Sequence, residues 1–146
     1  MSQRRTGMKR ASLGFGLLDM LVAMVIMAIL ASIALPAYTQ FTLGANRIAA
    51  TNVLTQIAQL QERYYSENRT YGSLIDLGYE SNAMSFDANG IAVDAADGVY
   101  TVTQSLGSSP PSFQVTASAI GTQSRDTDCS TLRVTSTGAQ SPGDCW

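Results

Sequence analysis

The sequence predicts an α+β chain: one long N-terminal helix, membrane-spanning in its first half and amphipathic in its second, packed on an antiparallel β-sheet head. Three observations predict it. Residues 17–37 form the longest apolar region, and its only charge is Asp19. Beyond it, Ala49, Val53, Ile57, Leu60 and Tyr64 recur at steps of three and four, which places them on one helical face. After Tyr65 the helical spacing stops, and a Gly-, Ser-, Asn- and Asp-rich stretch gives way to short alternating runs of strand type.

Composition excludes several function classes first. The chain has 146 residues, room for one domain. It has no histidine, which removes imidazole-dependent nucleophile activation, His-ligated zinc and histidine general bases. Its one lysine, Lys9, excludes a phosphate-loop or Schiff-base lysine further along. No enzyme, cofactor or metal site is expected. Charged residues are 14% of the chain, against about 25% in an ordinary soluble domain. The deficit is filled by uncharged polar residues, which suit an exported β surface.

The N-terminus reads as a targeting arrangement. Arg4, Arg5, Lys9 and Arg10 precede the apolar region, whereas everything from Phe15 onward holds five arginines and eleven acids. The apolar stretch is long enough to cross roughly 30 Å of hydrocarbon as a helix. Flanking basic residues keep the N-terminus cytoplasmic and export the remainder. A cleaved secretory signal is the simpler alternative. Against it stand an apolar run longer than the usual ~7–15 residues, a carboxylate inside that run, and Leu35-Pro36 directly after the best small-residue site, Ser32-Ile33-Ala34.

The string Gly14-Phe15-Gly16-Leu17-Leu18-Asp19, followed by an apolar helix and then Ala34-Leu35-Pro36-Ala37-Tyr38, resembles the class III signal of type IV prepilins. Glycine, aromatic, acid and proline agree in spacing, with Gly16 and Asp19 standing where the family usually has Thr and Glu. The resemblance implies cleavage by a membrane prepilin peptidase after Gly14 and N-methylation of the new Phe15 amine. It also implies an assembly role for Asp19 and Pro36. Asp19 would pair with the Phe15 amine of a neighbouring subunit, a register device more than a net stabiliser. Pro36 frees the carbonyl four residues back, so it is expected to kink or locally melt the helix without ending it. The implied partners are the peptidase, other pilin subunits in a helical polymer, the inner-membrane assembly platform and, before assembly, the membrane.

The organisation expected is a leader at 1–14, a transmembrane and assembly helix at 15–37, an amphipathic helix at 38–65, a loop at 66–98, and a sheet with a closed C-terminal loop at 99–146. Strands are expected at 99–106, 112–120 and 131–135, with a brief one at 91–93 and a turn at Gly107-Ser108-Ser109-Pro110-Pro111. Cys129 and Cys145 are the only cysteines, and in an exported chain they are expected to pair, free thiols being the alternative in a reducing compartment. Asp87-Ala88-Asn89-Gly90, Asp94 and Asp97 lack the spacing of a calcium loop and read as solvated turn acids. The glycosylation pattern Asn68-Arg69-Thr70 reads as chance.

The segments Gln59–Tyr71 and 126–146 also resemble PilE-like minor pilins, a branch that includes DNA-uptake pilins. A DNA site would draw on Arg125 and Arg133 with stacking on Trp146, but so few cations do not make a general electrostatic site. The function expected is a structural, minor subunit of a type IV pilus, membrane-inserted before assembly and extracellular after it. The alternatives are a DNA-binding competence pilin and a pseudopilin of a type II secretion system.

Overall fold

The computed structural model describes residues 16–146. Gly14 and Phe15, the expected cut and methylation positions, lie outside the described residues. One helix, α1 (Leu17–Asn68, 52 residues), continues through Pro36. It runs three residues beyond the expected end. It stops where Arg69 takes a left-handed φ of 59°, while its N–H still donates to the Tyr65 carbonyl at 2.9 Å. The chain divides into two compact units, one ending at Tyr38 and the other running Thr39–Trp146.

The helical part of the first unit has a mean hydropathy of 2.5 across its most apolar window, with none of that window buried. Its length and composition are those of a membrane-crossing helix.

In the second unit the remainder of α1 packs on a six-stranded antiparallel sheet. The strands are β1 (Ala83–Phe86), β2 (Ala92–Val93), β3 (Tyr100–Ser108), β4 (Pro111–Ala119), β5 (Thr131–Thr135) and β6 (Gln140–Ser141), in spatial order β2-β1-β3-β4-β5-β6. The centre is the β3–β4 hairpin, paired from Tyr100↔Ala119 to Ser108↔Pro111. Two strands lie outside expectation. β1 falls in the segment read as loop, because Ala-Met-Ser-Phe has little strand preference of its own; its pairing with β3, from Ala83↔Thr103 to Phe86↔Tyr100, makes it a strand. β6 is two residues long, and only its pairing with β5 marks it. Between β1 and β2, the Asp87 carboxylate accepts the N–H groups of Asn89 and Ile91 at 2.8 and 2.9 Å, and Gly90 supplies the left-handed φ of 76° the turn needs.

Alternation along the strands sends one set of side chains inward. Val102, Phe113, Val115, Ala117, Leu132 and Val134 are buried against Ala50, Val53, Leu54 and Ile57 of α1. The helical face that packs is rotated from the expected stripe. Ala49, Leu60 and Tyr64 are only partly buried, while Asn46, Ala50, Leu54 and Gln61 are fully buried. The shift comes from two polar side chains, Asn46 and Gln61, that the apolar spacing could not count as core.

Cys129 and Cys145 are joined by a disulfide and are both buried in this core. Closing a loop of that length restricts the unfolded chain by about 3 kcal/mol. Cys145→Ser is therefore expected to lower head stability by about that amount, measured as a lower urea midpoint in circular dichroism. An unchanged midpoint would show that packing alone holds the loop.

Candidate assembly and nucleic-acid surfaces

Asp19 lies in the first turn of α1. The first turn of a helix carries N–H groups without intrahelical acceptors and the positive end of the helix dipole, both of which favour a carboxylate at that position. The helix therefore tolerates this acid locally, although it is surrounded by apolar neighbours: Leu17, Leu18, Met20 and Leu21 are all exposed. An acid at the start of an uncovered apolar rod can take a cationic partner from another chain.

Inside the second unit, a polar network ties the helix to the segment before the disulfide. The segment consists of two short 3₁₀ turns, Gly121–Arg125 and Thr127–Cys129. Gln123 is wholly buried. Its Oε1 accepts from Asn46 Nδ2 at 2.9 Å, and its Nε2 donates to the Leu43 carbonyl at 3.2 Å and to the Tyr100 hydroxyl at 3.1 Å. Beside it, the Arg47 guanidinium grips the Asp126 carboxylate through Nε at 3.1 Å and Nη2 at 2.9 Å. Burial pushes the Tyr100 phenol above its ordinary pKa, and its bond from Gln123 offsets part of that rise. A second polar bridge lies further along the helix, where Gln61 donates to the Gly72 carbonyl at 2.6 Å and accepts from the Gly72 N–H at 3.1 Å. Sequence reasoning did not find these contacts. Partners 77 and 79 residues apart leave no local spacing to read.

The structure does not gather the expected nucleic-acid residues into one platform. Arg133 lies on β5 between the inward Leu132 and Val134, so it points to the outer face of the sheet. Arg125 ends the first 3₁₀ turn and is exposed. Trp146 instead packs against the core on the helix side, its indole N–H donating to the Ser141 carbonyl at 3.4 Å. It borders an open groove of about 460 Å³ that Phe41, Gly44 and Ile48 of α1 also line.

The outer sheet face has a distinctive chemistry. Among all residues of the six strands, Arg133 alone is charged. Around it the register places Thr116 and Ser141 directly opposite, with Gln114, Ser118, Thr131 and Thr135 on the same face. The acids of the β1–β2 region, Glu80, Asp87, Asp94 and Asp97, belong to loops. The face is thus a carpet of hydroxyls and amides with one cation and no anion.

Comparison with known proteins identifies the relatives of this architecture. Residues 36–133 match the family described as “Type IV minor pilin ComP, DNA uptake sequence receptor”. Among solved structures, a type IV pilin from Shewanella oneidensis is similar at 25% identity, over 68% of this chain and 92% of that chain, with a TM-score of 0.49. No curated protein matches.

Proposed function

The chain belongs to the ComP family of type IV minor pilins, and from that membership we propose how it reaches the fibre and what it presents there. The observation that supports the route is the bare apolar helix of the first unit. Water does not tolerate so large an exposed apolar surface. Lipid covers it before assembly and the helices of other pilin subunits cover it afterwards. The basic leader holds the N-terminus in the cytoplasm. A prepilin peptidase cuts after Gly14 and methylates Phe15, and an inner-membrane platform draws the mature subunit into the growing fibre. Asp19 then meets the Phe15 amine of a neighbour, and Pro36 lets the helix adjust to its packing. The protein acts as a structural subunit and performs no catalysis. Family membership favours a pilus over a secretion pseudopilus.

A second reading, DNA capture, draws on the receptor named in the family description and on the outer sheet face. The strands of that face carry no acid of their own, and Ser, Thr and Gln side chains are ordinary phosphate donors beside arginine. Arg133 supplies the charge of that face; Arg125, at the end of its 3₁₀ turn, is not part of it, and Trp146 is engaged on the helix side. One phosphate contact gives a shallow salt dependence, a slope of about −1 in log K against log salt. Fluorescence anisotropy of labelled duplex DNA with the full chain in detergent micelles measures that slope. Arg133→Ala is expected to reduce its magnitude by about 1. Absence of binding at low salt, or a slope unchanged by Arg133→Ala, contradicts this face as the DNA site.

A further inference from the structure

We propose that the free edge of β3 at residues 104–108 pairs with the same edge of a second copy of this chain, as antiparallel strands related by a two-fold axis. The observation behind it is a mismatch of strand lengths. β3 is nine residues long, but β1 pairs only with Tyr100–Thr103 at its start. On the other side β4 pairs with β3 along its whole length. Among the described residues, no backbone bond outside that hairpin reaches residues 104–108, and 105–108 are all exposed. The outer edges of the sheet are built differently: β2 and β6 are two residues each, and Pro142 follows β6 directly. Short edge strands and prolines keep a sheet from recruiting another strand. The edge formed by Gln104, Ser105, Leu106, Gly107 and Ser108 has no proline and no charge.

The occupant of such an edge is an uncharged, extended strand, and the edge itself is one. Leu106 sets the register. It is large and apolar yet 47% exposed, whereas Val102, on the same inward side of β3, is 1% exposed. With the two-fold axis at Leu106, each leucine lies directly opposite its counterpart and covers it, while Ser105 of one copy faces Gly107 of the other. The match is isologous, so no second complementary surface is needed. A two-fold axis normal to the sheet reverses the direction of whatever lies along it. The part of α1 that packs on the sheet therefore runs opposite ways in the two copies. On the proposed route, subunits of one fibre enter from one membrane with their helices parallel, so this contact joins copies in two opposed fibres. That placement rests on the proposed route; the pairing itself rests on the fold alone. Five residues of edge are a small interface against the ~1,200 Å² of a stable complex, which suits a contact made and broken between fibres.

Leu106→Cys tests the pairing, read as the yield of disulfide-linked dimer when the full chain in detergent micelles is mildly oxidised. Directly opposed residues of an antiparallel pair have Cα atoms about 4.5–5.5 Å apart, within reach of a disulfide. Ser108→Cys is the control. It is exposed at the same edge, but in this register its counterpart lies roughly 13 Å away along the strands, too far to bridge. Leu106→Cys should give at least ten times the dimer of Ser108→Cys, and both should keep the native thermal midpoint, since both side chains are exposed. In sheared surface fibres, a photocross-linking residue at Ser105 should capture a peptide of this same chain. Equal dimer yields from the two cysteine variants, or capture at Ser105 confined to a different protein, would overturn the proposal. Neither result bears on whether the native chain enters fibres; its absence from fibres would instead contradict the pilus-subunit route and leave the pairing in detergent as it stands.

Discussion

Asp19→Ala is expected to lower the share of this chain in fibres tenfold or more while leaving membrane insertion and processing unchanged. The acid sits in the first turn of a helix whose other side chains there are apolar and exposed. Its removal makes the lone helix more comfortable in lipid, so the membrane pool should not shrink. In a packed fibre, on the proposed pairing, the same change would leave a neighbour's Phe15 amine without its counter-ion. An unpaired buried charge costs several kcal/mol, and about 1.4 kcal/mol already gives a factor of ten. Asp19→Glu should assemble like the native chain, since it restores the acid with a longer reach. Equal incorporation of Asp19→Ala and the native subunit would remove the pairing from the account.

Gln123→Leu is expected to destabilise the head by about 2–4 kcal/mol. Leucine has similar bulk but no polar atoms. It leaves the buried Asn46 amide without its partner, at about 1–3 kcal/mol before relaxation, and removes one bond each from the Leu43 carbonyl, the Tyr100 hydroxyl and the Asp126 carboxylate, of which Tyr100 keeps the Cys129 carbonyl and Asp126 keeps Arg47. Urea unfolding followed by circular dichroism measures the loss. Because Asn46 and Gln123 serve one another, the double variant Asn46→Leu, Gln123→Leu should cost less than the sum of the single ones. Full additivity would show that the two side chains act separately.

These two sites differ in how far the sequence revealed them. Asp19 stands out in the sequence because a carboxylate inside an apolar run is conspicuous and its spacing to Phe15 and Pro36 carries a family pattern, and the structure puts it in the first turn of α1; its assembly role is a proposal. The long helix and the β3, β4 and β5 strands were legible because their periods of 3.6 and 2 persist over many residues. Gln123, Asn46 and Gln61 were not. Each is polar, and the folded chain buries them only because partners from distant segments satisfy them. β1 escaped for a related reason: its four residues become a strand through the register with Tyr100–Thr103, a non-local event. Arg125, Arg133 and Trp146 were picked by residue type alone. Their placement depends on strand alternation and on the disulfide, and Trp146 went to the helix side.

The measurement that tests the central claim most directly is mass spectrometry of this chain recovered from sheared surface fibres. A processed minor pilin gives an N-terminal peptide that begins at N-methylated Phe15, with residues 1–14 removed and the apolar helix of α1 retained. A chain found only in the soluble secreted fraction, with its N-terminus near Leu35, would contradict the account and restore a conventional cleaved signal peptide.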